Sequence, residues 1–188
     1  SLIFPQIWHV GVMRKPTEAG HPEVETISPS GLLLPGKARG EAMSDARIAD
    51  TIAAFADAAA NAKAVGFDGI EIHGAHGYLL CQFLSPEVNT RDDQYGGGLD
   101  NRSRLLWEII DGIRARCRPD FVLGVRLSPE RFGMVLNEIK LLCRQLIKSN
   151  LLDILDISLW DVFKDPHEEE HRSSTLLEHF TGLDRGNV

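Results

Sequence analysis

The chain has 188 residues, 43% of them hydrophobic and 25% charged, a balance that excludes a disordered polymer and supports one globular domain over 1–188. The formal net charge of −7 gives no general attraction to nucleic-acid phosphates or anionic lipid, and apolar runs such as Thr51 to Ala56 are far shorter than the roughly 20 residues a membrane-spanning helix needs. Three cysteines (Cys81, Cys117, Cys143) in no metal-ligand spacing argue against a disulfide scaffold, and the N-terminus lacks the basic segment of a signal peptide, so a soluble cytoplasmic protein is expected.

In chain order, Leu2 to Val10 reads as a buried strand, and Met13 to Gly40 as a long irregular stretch rich in Pro, Gly and Ser. Ser44 is placed as the N-cap of a helix from Asp45 to Val65, with Ile48, Ile52, Phe55, Ala59 and Ala62 at helical spacing and Gly66 closing it. Phe67 to Ile72 is a strand, and Gly74 to Asp100 a second long connection. Asn101 is expected to cap a helix to Cys117, with Leu105, Ile109 and Ile113 on one face. Phe121 to Leu127, a helix near Val135 to Ser149, Leu152 to Ser158 and a polar helix over Glu168 to Phe180 complete the pattern. Strands alternating with helices of this length point to βα units and a parallel sheet.

No G-x-G-x-x-G or Walker pattern supports a doubly wound fold. Polar residues instead stand at the C-terminal ends of the strands: His9, His73, Arg126 and Ser158. That rim holds the active site in a (β/α)8 TIM barrel. Four strands are present, whereas a full barrel takes about 250 residues, so the expected fold is α/β, a partial barrel of about four βα units.

The sharpest chemistry lies in Gly69-Ile-Glu-Ile-His-Gly-Ala-His-Gly-Tyr78. His73 ends the strand, and His76 can project the same way three residues on. Two imidazole N–H groups converging on one point can polarise a carbonyl or nitro oxygen, and the phenol of Tyr78 could then protonate a developing carbanion. Zinc is an alternative use of two histidines, but no third ligand stands at a telling spacing; a purely structural pair is the other. Glu71 can join the histidines or pair with a Lys or Arg inside the barrel, and the structural role is the expectation. Arg126 leaves an apolar strand and needs an acidic partner, an anionic ligand or an electron-rich ring, while Gln6, beside Trp8, offers an amide to a heterocycle edge.

Gln6-Ile-Trp-His-Val-Gly11, His73 to Pro86, Asn89 to Gly97, Asn101-Arg102 and Gly124-Val-Arg-Leu-Ser-Pro129 resemble the Old Yellow Enzyme family, FMN-dependent ene-reductases on a (β/α)8 barrel. The resemblance implies FMN, with NADPH or NADH as hydride donor and an enone or nitro-alkene as the small-molecule substrate. It implies that Gln6 and Arg126 bind the flavin, that His73 and His76 hold the substrate oxygen, and that Tyr78 delivers the proton. Arg91, Tyr95, Gly96, Gly97 and Arg102 also match and are expected to order the loop and barrel.

Val12 stands where the family usually has Arg, Cys81 where it has Asp, Gly98 where it has Ser and Asp100 where it has Glu, and no cysteine cluster suits an iron–sulfur centre. The chain corresponds to strands 3 to 6 of the family fold, without the main phosphate-binding loop. Open sheet edges would then favour self-association, as a homo-oligomer. The competing expectations are an inactive fragment serving as a structural or interaction module, and a different FMN barrel oxidoreductase.

Overall fold

The computed structural model describes residues 1–13, 26–117, 120–186 and 188. The chain opens with β1 (Gln6–Ile7) and a 3-10 turn at Gly11–Met13. Four short strands follow in the connection: β2 (Ile27–Ser28), β3 (Leu32–Leu34), β4 (Lys37–Ala38) and β5 (Glu41–Ala42), with β2 pairing β5 and β3 pairing β4. They replace part of the expected irregular stretch from Met13 to Gly40; the rest of it, 14–25, lies outside the described residues.

Ser44 caps α1 (Asp45–Ala64), its hydroxyl accepting from the Arg47 amide at 3.3 Å, and Gly66 (φ 94°) turns the chain out of it. Then come β6 (Gly69–Gly74), the short helix α2 (Leu79–Leu84), α3 (Leu99–Cys117), β7 (Val122–Leu127), α4 (Leu136–Ser149), β8 (Ile154–Ile157) and the single turn α5 (Glu178–Thr181).

β1, β6, β7 and β8 make one parallel sheet in that order. Alternate strand residues Ile70, Ile72, Leu123, Val125 and Leu127 are at most 1% exposed, and they share one apolar core with Ile48, Phe55 and Ala59 of α1, Leu105, Ile109 and Ile113 of α3, and Ile139, Leu142 and Leu146 of α4. Burying each large aliphatic side chain contributes about 1.5–3 kcal/mol. The helices take this face, so the opposite face, the interior side of a barrel, is left for polar groups. The sheet ends at β1 and β8 without closing, and it is a partial (β/α) barrel as the alternation implied.

Four expectations need correction. Leu2 to Val10 is not a buried strand: pairing is confined to Gln6–Ile7 on one side, and Leu2 and Ile3 are 67% and 61% exposed at the sheet edge. Asn101 does not cap α3, because the Gly98 carbonyl already accepts from the Arg102 amide at 3.0 Å and the helix begins at Leu99. Helix α2 stands inside what read as a loop. Glu168 to Phe180 holds only a 3-10 turn (Glu169–His171) and α5. Its acidic side chains act as caps: Glu168 accepts from the Leu136 amide at the start of α4 at 3.0 Å, and Glu178 accepts locally from the Thr175 amide ahead of α5 at 2.7 Å.

Candidate active site

Register fixes which side chains share the polar face. Gln6, Glu71, Gly124 and Ile154 are mutual neighbours across the four strands, and one step on, His73 pairs Arg126 and Arg126 pairs Asp156. In-register neighbours of a parallel sheet point the same way. Two layers therefore stack towards the C-terminal rim, and Ser158 lies just beyond the second.

The backbone then brings His76 back over His73. His76 takes a left-handed conformation (φ 60°), followed by Gly77 (φ 77°), and its amide donates to Ser128 Oγ at 3.1 Å. Gly77 is needed on two counts, its positive φ and the Phe132 ring, which a Cβ there would meet at 3.0 Å. The His73 and His76 ring centroids are 4.9 Å apart. Tyr78 begins α2, its carbonyl accepting from the Gln82 amide at 2.8 Å, and its ring lies 5.3 Å from His73 and 4.5 Å from Trp8. All three expected groups thus meet on one rim. What unites them is a turn after the strand, one of the two geometries the i, i+3 spacing allowed, and it is left-handed at His76 and Gly77.

Both imidazoles are held neutral. Burial first, then the positive charge that a protonated His76 and Arg126 set beside it, lower the His73 pKa to about 4. Burial and Arg126 lower His76, with Asp156 pulling weakly the other way. An unfolded imidazole titrates near 6.5, so from about pH 6.5 down to about 4 the unfolded chain binds more protons than the folded one at His73. Stability is therefore expected to fall as the pH drops through that window. Urea unfolding of the wild-type chain and of His73→Gln checks this: the variant should decline less steeply, and equal slopes would exclude a buried neutral His73.

Gln6 donates from Nε2 to Glu71 Oε2, so the partner of Glu71 is an amide rather than the Lys or Arg expected. Arg126 Nε lies 3.0 Å from Asp156 Oδ2, an ion pair outside hydrogen-bond alignment, and Nη2 donates to Ser158 Oγ at 3.2 Å. With Asp156 as counter-ion, Arg126 offers N–H donors more than uncompensated charge. Gly124 adds no side chain to the face between Glu71 and Ile154. His73 Nδ1 is buried without a hydrogen-bond partner among the described residues. A cavity of about 520 Å³ lies between β1 and α1, lined by Ile7, His9 and Phe55, and not at the histidine pair.

His9, the first polar strand end, is used internally: its Nδ1 accepts from the Gly11 amide at 3.0 Å, and its carbonyl from the Leu79 amide. Val12 is fully buried, with its amide donating to Gln82 Oε1 at 3.4 Å, and Arg39 donates to its carbonyl at 3.4 Å. Cys81 is also fully buried, and burial pushes its thiol up to about 12, so both departures from the family pattern place uncharged groups in the core. Sequence reasoning missed the packing of Trp8 on Tyr78 and the two serines that fix His76. Ser158 was legible only as another polar strand end.

An open parallel sheet that gathers two imidazoles, a phenol, an amide and a guanidinium towards its C-terminal rim defines a partial α/β barrel, and that rim is where barrels of this class build their sites. The family model described as NADH:flavin oxidoreductase / NADH oxidase family matches residues 1–165. The chain belongs to that family, the Old Yellow Enzyme family. It is 40% identical over 141 residues to 12-oxophytodienoate reductase 2 of Arabidopsis thaliana, covering 69% of this chain and 37% of that protein. It is 42% identical over 142 residues to an NADPH dehydrogenase of Halalkalibacterium halodurans, covering 74% and 41%. The solved structure of morphinone reductase in complex with tetrahydroNAD matches with a TM-score of 0.71 at 29% identity, covering 83% of this chain and 48% of that one. The chain thus spans less than half the length of each of these relatives.

Proposed function

We propose that this chain carries the substrate-activating part of an NAD(P)H-dependent FMN oxidoreductase that reduces activated C=C bonds of α,β-unsaturated carbonyl or nitro compounds. The observation that carries this reading is the convergence of His73, His76 and Tyr78 on the face that also bears Gln6 and Arg126. Relatives described as an NADPH dehydrogenase and a 12-oxophytodienoate reductase, and a neighbour solved with tetrahydroNAD, support the nicotinamide donor and the reductase class.

The residues present fit a flavin lying on that face. Gly124 leaves its place in the layer without a side chain, with the Gln6 amide two strands away in the same layer and the Arg126 guanidinium one layer nearer the rim. When bound, the flavin supplies the hydride for the substrate's β-carbon. Neutral His73 and His76 each keep one ring N–H, with which they hold the substrate oxygen and stabilise the charge that develops there. Tyr78 gives its hydroxyl proton to the α-carbon. Trp8, edge-on to the phenol, restricts how that ring can swing. The partners are small molecules; among the described residues no helix is long and apolar enough to cross a membrane.

The visible spectrum of the purified chain, with FMN titrated in if needed, tests the reading. A yellow bound chromophore bleached by NADPH without oxygen is expected, as is a phenol ligand whose affinity falls about tenfold or more in His76→Ala. A self-associating chain that takes up no FMN would overturn the proposal in favour of an interaction module. Unchanged phenol affinity in His76→Ala would remove the oxygen-holding role.

A further inference from the structure

Ser158, one residue beyond β8, stands between two groups of the rim. Its Oγ is 2.7 Å from His76 Nε2 and 3.2 Å from Arg126 Nη2, and these are its two hydrogen-bond neighbours among the described residues. A guanidinium can only donate, so Arg126 occupies a lone pair of the serine oxygen. The hydroxyl then has one proton to place and one nearby acceptor, His76 Nε2. A neutral imidazole that accepts at Nε2 carries its own proton on Nδ1.

We infer that Ser158 is a positioning residue for the reduction: its hydroxyl donates to His76 Nε2, locking His76 as the Nδ1–H tautomer and presenting Nδ1–H to the substrate oxygen. The inference rests on the role given to His76 above.

The opposite arrangement fails on two counts. If His76 donated from Nε2, both serine lone pairs would be taken and the serine proton would have no acceptor among the described residues. His76 Nδ1 would then carry a lone pair and repel a substrate oxygen. Arg126 reinforces the favoured direction, because a cation donating to Oγ polarises the O–H and strengthens it as a donor. It also disfavours the doubly protonated ring, and with burial it lowers the His76 pKa. The backbone end of His76 is fixed independently by Ser128. One serine therefore sets where the residue sits, and the other sets which ring nitrogen bears the proton. Ser158 also links Arg126 to the oxygen-holding imidazole through a single hydroxyl.

Long-range 1H–15N NMR of the histidine rings in the full chain, at neutral pH, tests the assignment directly. The wild-type spectrum should show a protonated Nδ1 and an unprotonated Nε2 for His76. Ser158→Ala should shift His76 towards the Nε2–H form, and Ser158→Thr, which keeps a hydroxyl, should restore the wild-type pattern. In the FMN-loaded chain, Ser158→Ala should weaken a phenol ligand about 5–10-fold, with Ser158→Thr close to wild type. A protonated Nε2 in the wild-type chain overturns the proposal, and this spectrum decides even if the Ala variant fails to fold. An unchanged tautomer in a folded Ser158→Ala overturns it too. The NMR result needs neither flavin nor substrate, so it can fail while the reductase reading stands. Unchanged phenol binding in His76→Ala would remove the oxygen-holding role of His76, and a chain that takes up no FMN would overturn the reductase reading, while the tautomer result stands in both cases.

Discussion

Replacing Tyr78 by Phe is expected to slow turnover of an enone by about 10²–10⁴-fold, the usual contribution of a positioned general acid. Reduction of the bound flavin by NADPH should stay close to wild type. Phe keeps the ring packed 4.5 Å from Trp8 and 5.3 Å from His73 and removes only the hydroxyl. The main-chain bonds that seat the residue, from its amide to Ala75 O at 3.3 Å and from the Gln82 amide to its carbonyl at 2.8 Å, do not involve the side chain. Rapid mixing that follows the two half-reactions separately is the measurement. An unchanged enone half-reaction would take the proton-donor role away from Tyr78.

The largest effect on stability is expected at Arg102, which touches no group of the rim. Its side chain is 2% exposed and joins three segments: Nε donates to Gly97 O at 2.8 Å, Nη1 to Leu84 O, and Nη2 to Glu138 Oε1 at 2.6 Å. It ties the end of α2 and the glycine turn before α3 to α4. Arg102→Ala leaves the buried Leu84 carbonyl and the more exposed Gly97 carbonyl without their donor and one carboxylate without its cation, a loss of about 3–5 kcal/mol, against about 5–15 kcal/mol for a whole domain. The urea midpoint should fall accordingly. Arg116→Ala is the contrast: its ion pair with Asp57 is half-exposed on both sides and should matter by about 1 kcal/mol or less. Similar losses in the two variants would show that Arg102 does not organise the loop.

The same segment explains much of the long motif that marked the family. Arg91 donates to Pro29 O at 2.9 Å and to Met43 O at 2.5 Å. Asn89 Nδ2 donates to Phe83 O at 2.7 Å and Tyr95 O at 2.8 Å, and the Tyr95 hydroxyl donates to Glu108 at 2.9 Å. A Cβ on Gly96 would fall 2.0 Å from Arg91 O, so only glycine fits there. These residues lace the loop that follows α2 to that helix, to the β2 and β5 segments and to α3. The structural role expected of Arg91, Tyr95, Gly96 and Arg102 agrees with these bonds.

Local signals carried the helices well. Ser44 as a cap, the helical spacing of Ile48, Phe55 and Ala59, and Gly66 as the exit of α1 each rest on residues within a turn or two along the chain, so the sequence states them directly. The failures share a cause as well. Leu2 and Ile3 are as apolar as any core strand, but a strand pairing on one side leaves them at an edge. The acidic stretch from Glu168 reads as a helix until Glu168 is seen accepting from the Leu136 amide of α4, a partner 32 residues away.

By itself, the sequence determined the βα alternation, the partial-barrel class and the residue types on the rim, because hydrophobic periodicity, caps and strand-end polarity are local properties. Only the tertiary structure decided how those residues work together. The left-handed His76 depends on a hydroxyl 52 residues away, its second ring nitrogen on one 82 residues away, and Arg126 has its counter-ion on the neighbouring strand. Such partners are set by strand register and turn geometry, and no spacing along the chain encodes them.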